Sequence, residues 1–453
     1  MSVRRVTLLV LAVTASAHAQ PKPAAPPPAP VATKESAIAH LSAEVATAIG
    51  QVPPGAVVIA SAVASDTPAP KGDELAVRIA TQIAGKLGTA KAHPQPASLA
   101  VARGLSGRAA SLVHVQLEIA KGELRATADL YPVVSNGWER LRNPVPGPRA
   151  HAFASVPLDA EIRSFMAPIL LEHATVHKAK HEETDVLAIG CGDVDQDGGL
   201  ELVIASRARV VVGKLRAGKL TPARVVPWSS IASRAPTPLR EPIATVVVSP
   251  RLHRGEILLG STERGAVAVD GTLVTKRQLS GLPVPGAEDA CVSAGTDAQA
   301  FEGNAVPCEN VKPASQKPET VLTFSPPSLK FDAVAAFDLV DKDGSVVEVV
   351  GTREPNGKLH LRRAQSSATI DGVGAQLAIG DLDLDGVPEI VTTSDGSGDD
   401  VLAITSWNPK GTMYPRLRVP AKEGVRAVAV CPAEEKGAPA VVAVVGSEVW
   451  LVR

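Results

Sequence analysis

The feature that most constrains this chain is a short acidic loop that occurs twice, each time between two apolar runs. The first copy starts at Asp193 and reads D-V-D-Q-D-G-G-L-E-L; the second starts at Asp381 and reads D-L-D-L-D-G-V-P-E-I. Each places a carboxylate at positions 1, 3, 5 and 9 (Asp193, Asp195, Asp197, Glu201; Asp381, Asp383, Asp385, Glu389) and glycine at position 6 (Gly198, Gly386). Val186-Leu187-Ala188-Ile189 and Leu377-Ala378-Ile379 come before; Leu202-Val203-Ile204 and Ile390-Val391-Thr392-Thr393 follow. Carboxylates packed this tightly repel one another unless a hard cation lies between them, and Ca²⁺ takes about six to eight oxygens in such loops. Glycine at position 6 permits the sharp turn round an ion. The plain alternative is a solvated Asp/Gly turn. Two copies in the same strand–loop–strand context favour the cation.

An EF-hand begins the same way but needs a bidentate Glu at position 12 and a helix on either side. Position 12 here is Ile204 or Thr392, and the flanks read as strands. The pattern instead resembles the FG-GAP (VCBS-type) repeat of integrin-like β-propellers. That resemblance implies a Ca²⁺ loop between strands, with side-chain ligands at positions 1, 3, 5 and 9. It also implies a backbone carbonyl ligand at position 7, which is Gly199 or Val387 in this chain.

The two loops head a degenerate series. Asp341-Lys342-Asp343-Gly344 keeps the middle of the motif, with Asp338 and Glu348 each displaced by one residue, so Asp338, Asp341 and Asp343 form a weaker candidate site. His253-Arg254-Gly255 and Glu434-Glu435-Lys436-Gly437 stand at the same place without the ligands. Beyond about residue 168, Val/Ile/Leu runs recur every eight to twelve residues. The first unit gives strands over 186–191, 200–205, 210–215 and 223–228; a later one gives 376–380, 389–393, 401–406 and 414–419. Four-strand repeats of about 40–50 residues point to propeller blades. The span 168–453 accommodates about six blades, with five or seven also compatible, and the stretch around Cys291 to Pro327 has room for a blade that carries no legible strands. The last unit ends after three strands, and residues 170–178 are expected to supply its fourth, which removes two open edges.

Residues 34–165 have a different grain. Ile38, Leu41, Val45 and Ile49 share one helical face, and Ala56 to Val63 reads as a buried strand. Asp73 is placed to cap a second helix with a stripe of Leu75, Ile79, Ile83 and Leu87, closed by Gly88. From Ser111 to Val134 the period changes to two about a Lys121-Gly122 turn, which predicts a hairpin. The whole is a small α/β domain, similar in its order of elements to the N-terminal domain of TolB-like and FlgO-like periplasmic proteins. The fold expected is therefore mainly β, a small N-terminal α/β domain followed by a β-propeller.

Upstream, residues 1–19 carry Arg4-Arg5, an apolar core over 6–13 and an Ala17-His18-Ala19 cleavage site, the pattern of a secretory signal. Residues 20–33 are Pro/Ala-rich, an extended linker. No cysteine stands at the cleavage point and no later run reaches the ~20 apolar residues of a membrane helix, so export to the periplasm or outside the cell is expected without membrane insertion. There thiols can oxidise. Cys291 and Cys308 form the expected local disulfide. Cys191 and Cys431, at the ends of apolar strands in the first and last blades, are either a disulfide stapling the ring or two buried free thiols.

The 453 residues carry a net charge of −1, which gives no electrostatic case for nucleic acid, and 3% aromatics leave little for a stacking groove. His173, His177 and His181 share one face of a helix or a strand. In a strand they stand roughly 13 Å apart, too far to chelate. Trp228, Trp407 and Trp450, near the ends of strands, fit wedges between blades. The segment 394–400 reads as a polar hairpin loop. No nucleophile elbow, phosphate loop, H-E-x-x-H or dinucleotide fingerprint occurs. The expectation is a non-catalytic scaffold, with Ca²⁺ bracing a propeller that docks a protein or glycan of the envelope or beyond. The alternatives are an exported hydrolase or lyase with its site in the channel, and a Ca²⁺-dependent adhesin.

Overall fold

In a computed structural model, the described residues are 36–134, 137–142, 146–232, 239, 241–249, 256–287, 289–295, 300–309, 320–324, 330–340, 346–394, 399–408, 410–433 and 438–453. The expected signal and linker (1–33), Asp341 and Asp343, and the ligand-free loops at 253–255 and 434–437 lie outside them.

The first sheet is built around the hairpin. Strands Ser111–Ala120 and Glu123–Pro132 pair from Ser111↔Pro132 to Ala120↔Glu123, with the positive φ of Lys121 and Gly122 making the turn. Ala150–Pro157 adds antiparallel on one side and Val57–Ala60 parallel on the other, followed by Lys91–Ala92; Ala64–Ser65 also pairs with the hairpin's first strand. Helices Ala37–Ile49 and Gly72–Leu87 lay their apolar stripes on one face, where Leu41, Val45, Ile79 and Ile83 pack with Val113, Val115 and Leu117. Ser36 caps the first helix, its hydroxyl accepting from Ala39 N at 3.3 Å. Asp73 does not cap the second. Lys71 holds that position, and Asp73 and Glu74 lie in the first turn, where negative charge suits the helix dipole. A short helix, Leu99–Leu105, covers the sheet's other face, so Leu112 and His114 are buried as well as Val113 and Val115.

From residue 176 onward the regular elements among the described residues are strands, apart from the short helix Trp228–Ile231. Four antiparallel sheets of four strands run over 244–278, 282–331, 333–370 and 373–421. A fifth set comprises Val186–Gly192, Glu201–Ser206, Arg209–Arg216 and Lys219–Pro227. The sixth joins Val425–Cys431, Ala440–Val445 and Glu448–Val452 to Val176–Lys180, which pairs from Val452↔Val176 to Glu448↔Lys180. An early strand thus completes the last unit, as expected, but over 176–180 in place of 170–178, with Leu171–His173 in a 3₁₀ turn. A single parallel pair, Lys219↔Lys180, joins these two sets into one sheet of eight.

This is a β-propeller arrangement with six four-stranded units among the described residues. The first strand of each unit packs against the first strands of its neighbours. Second strands such as Glu201–Ser206 and Ala440–Val445 are buried along their whole length because adjoining units cover both faces, which accounts for the apolar runs over 202–205 and 440–445. The outer strand Lys219–Pro227 is mostly exposed. Close approach of the inner strands needs glycine: a Cβ on Gly190 would fall 2.7 Å from Val246 Cγ1, and one on Gly380 2.7 Å from Val430 Cγ1.

The unit without legible strands occupies 282–331. Its edge strands, Leu282–Pro283 and Lys330–Phe331, are two residues long, and its core is aromatic, with Phe331 5.5 Å from Phe301 and 5.0 Å from Phe324. The Cys291–Cys308 disulfide crosses it. Cys191–Cys431 is also a disulfide; it links the first strands of the first and sixth units and so staples the ring. The tryptophans are wedges: Trp228 packs with Val203 and Leu259, Trp407 with Leu361 and Ile390, and Trp450 with Leu402 and Val441, each between two units.

Candidate metal centres

Both acidic loops leave the C-terminal ends of first strands, Val186–Gly192 and Val373–Gly380, and both deliver their ninth residue to the start of the second strand. Their backbones match. Position 4 (Gln196 φ 63°, Leu384 φ 56°) and position 6 (Gly198 φ 84°, Gly386 φ 82°) are left-handed in each. The glycine was foreseeable; the strained fourth position, a non-glycine, was not. Hydrogen bonds repeat as well. The position 2 amide donates to the position 9 carboxylate (Val194 N to Glu201 Oε2, 2.6 Å; Leu382 N to Glu389 Oε2, 2.7 Å). The position 6 amide donates to position 1, 3.1 Å in each, and the position 7 amide to position 5, at 2.9 and 2.7 Å. These bonds fix the remaining oxygens inward. One oxygen from each of Asp193, Asp195 and Asp197, and from each of Asp381, Asp383 and Asp385, can gather within 4.8 Å of one another.

The surroundings of the two loops differ. In the second, Asp381, Asp383 and Glu389 are buried and Asp385 is exposed. Desolvation, reinforced by the Asp383 charge, pushes the Glu389 carboxyl up to about 9. Desolvation also raises Asp381 to about 7, against the hydrogen bond from Gly386, and Asp383 to about 6, with Asp385 adding to it. Ser406, opposite Glu389 in the sheet, donates its hydroxyl to Glu389 Oε1 at 2.7 Å. Arg416 reaches Asp383 Oδ2 at 3.3 Å but is otherwise engaged with Glu172 (2.6 Å) and Ser406 (3.1 Å). Asp383 Oδ1, on a side chain about 5% exposed, is buried with no hydrogen-bond partner. A buried carboxylate oxygen left unpaired beside two other acids fits a hard cation.

In the first loop Asp195 and Asp197 are exposed, and Lys214 stands among the carboxylates. Its ammonium contacts Asp197 and lies 2.7 Å from Glu201 Oε1 and 3.3 Å from Asp195 Oδ2. Desolvation works against that charge, but the hydrogen bonds to Asp197 and Glu201 raise the lysine overall; the same contact holds Asp197 below the usual carboxylate range. Nothing in the loop motif signals Lys214, which lies on the next strand.

The other candidates lie apart where they are described; Asp341 and Asp343 are outside the described residues. Asp338 is exposed on the strand Ala333–Val340, paired with Glu348 in register. His173 sits in a 3₁₀ turn, His177 in an exposed strand position, and His181 is buried with its Nδ1 accepting from Glu183 N at 3.1 Å. The first strands line two cavities. One, of about 260 Å³, is lined by Gly190, Val248, Ile379 and Val430, with Asp338, Asp381 and Leu384 at its rim. The other, of about 370 Å³, is lined by the opposite ends of the same strands, with Glu241 and Asp332 beside it.

Fold and site thus define a mainly β protein of propeller type with paired acidic loops. The sequence matches no protein-family model and no curated protein. Among solved structures the chain is similar to TolB from Acinetobacter baumannii (11% identity, 83% of this chain and 96% of that one, TM-score 0.28). It is similar also to the WD40 domain of Toxoplasma gondii coronin (12%, 74% and 79%, TM-score 0.33). A third is the soluble aldose sugar dehydrogenase of Escherichia coli (10%, 61% and 99%, TM-score 0.34). Likenesses this distant carry neither a site nor an activity.

Proposed function

We propose that this chain is an exported, non-catalytic binding scaffold whose propeller docks a protein or glycan partner of the cell envelope or beyond, with Ca²⁺ bracing the ring. The observation that carries the calcium reading is the second loop: Asp381, Asp383 and Glu389 buried together, with Asp383 Oδ1 unpartnered. Asp381, Asp383, Asp385 and Glu389, with the Val387 carbonyl, would hold the ion. Bound there, Ca²⁺ supplies the charge that three buried carboxylates lack, and the position 2, 6 and 7 amides already orient the loop for it.

Two observations favour a brace over a reactant. Most of the ligand set is buried between strands, and the neighbouring cavity is lined largely by valine, alanine, glycine and proline. Export accords with the two disulfides. Among the described residues no helix is long and apolar enough to cross a membrane.

The test is a thermal melt in Ca²⁺ against chelator. An ion at a hundred times its dissociation constant contributes about 2.7 kcal/mol, or roughly 5–10 °C in a ring of this size. An unchanged midpoint removes the brace. Recovery of one partner from envelope fractions supports docking, whereas turnover on a hydrolase or lyase substrate panel replaces it.

A further inference from the structure

We infer that Lys214 is a built-in cation: its ammonium occupies the carboxylate cluster of the first loop in place of a metal ion, so the chain binds one divalent cation, in the second loop, and not two. The inference rests on the calcium reading of the second loop but concerns the first.

The two units are in the same register, which makes the comparison direct. In the unit over 373–421, Glu389 lies opposite Ser406, and a bulge falls just before it, between Ile404 and Thr405. In the unit over 186–227, Gly213 pairs with Leu202, so the next residue, Lys214, faces Glu201; the matching bulge falls between Val212 and Gly213. Lys214 and Ser406 are therefore structural twins. One brings a hydroxyl, which donates to Glu389 and carries no charge into the loop; a buried aspartate oxygen has no hydrogen-bond partner in each loop, Asp383 Oδ1 in the second and Asp193 Oδ1 in the first. The other brings a full positive charge, 81% of its side chain withdrawn from solvent (19% exposed), in contact with Asp195, Asp197 and Glu201 together.

A divalent ion entering the first loop would meet like charge at contact distance and would take the same oxygens from the lysine. In the second loop Arg416 does not play this part, because among the loop's carboxylates its ion pair is with Asp383, and Glu172 and Ser406 hold the rest of its guanidinium. Identical loop motifs thus have different occupants, decided by one residue on the third strand of each unit.

Calcium stoichiometry, by native mass spectrometry and calorimetry on the full chain stripped with chelator, tests this. The expected values are one ion for the native protein, still one for Asp197→Asn, and two for Lys214→Ser. Asp385→Asn, altering an exposed ligand of the second loop, is expected to weaken the single site at least tenfold. Two ions in the native protein would overturn the inference and leave the calcium reading standing. A folded Lys214→Ser that binds one ion would overturn it too. If Lys214→Ser folds only weakly without calcium, its melt decides: recovery in Ca²⁺ supports the inference, and no recovery overturns it. No ion in the native protein but one in Lys214→Ser would remove the second-loop reading and keep Lys214 as the block. No ion in any variant removes both.

Discussion

The ring-closing disulfide offers the sharpest quantitative test of the architecture. Cys191 and Cys431 are 240 residues apart, whereas Cys291 and Cys308 are separated by 17. If a crosslink acts by restricting the unfolded chain, its contribution grows with the logarithm of the loop it closes. That relation gives about 5.5 kcal/mol for the ring pair and about 3 kcal/mol for the local pair. All four cysteines are buried, so replacing either pair with alanine removes a similar amount of buried sulfur, and that cost largely cancels in the comparison. Oxidised native protein, Cys191→Ala/Cys431→Ala and Cys291→Ala/Cys308→Ala are to be unfolded in urea and by heat. The ring variant should be less stable than the local variant by about 2 kcal/mol, and should melt roughly 10–20 °C below the native protein. Equal losses, or a larger loss for the local pair, would refute the argument from loop length. A ring variant that loses under about 1 kcal/mol would mean that the two ends stay together in the unfolded chain.

Gly190→Val should destabilise by about 1–3 kcal/mol through overpacking against Val246, although valine is the better strand former; an unchanged urea midpoint would remove the close approach of inner strands. His114 is buried, with Nε2 at 3.1 Å from the Ala97 carbonyl oxygen, and desolvation lowers its pKa against the effect of that bond. The unfolded chain therefore takes the proton first, so stability is full above the histidine's ordinary value of 6.5 and declines as pH falls through it. The melting temperature should drop more between about pH 7.5 and pH 5.5 than that of His114→Gln, and parallel slopes would refute the assignment.

Much of the fold was legible because its signals are local. The hairpin over 111–134 shows as strict alternation about Lys121-Gly122 and forms with that turn. Ring closure by residues near 170–178 followed from a last unit one strand short, and Val176–Lys180 supplies it. The unit over 282–331 could not be read, because its edge strands are two residues long and phenylalanines and a disulfide stand in for Val/Ile/Leu runs. Lys71 in place of Asp73 at the helix start is a two-residue shift that propensity does not resolve. At the acidic loops the motif located the ligand sets, yet Lys214 lies outside it. The contact arises only from strand pairing.

The contrast between the loops has a further cause in the path of the chain. Residues 163–180 pass over the second loop before completing the ring. Leu171 packs in one cluster with Leu382, the loop's second residue, and Glu172 holds Arg416 beside Asp383. Thr175 then bonds Arg453, and Val176–Lys180 pairs with the last strand. One segment therefore both closes the ring and buries the second loop, and burial is what drives Asp381, Asp383 and Glu389 toward protonation. Asp195 and Asp197 of the first loop are exposed, and Lys214 reaches them from the third strand of the same unit. Four carboxylates at the same spacing thus pose one electrostatic problem twice. Where the chain buries the loop, desolvation raises the carboxyls and Arg416 meets Asp383; where it does not, Lys214 of the third strand supplies the charge.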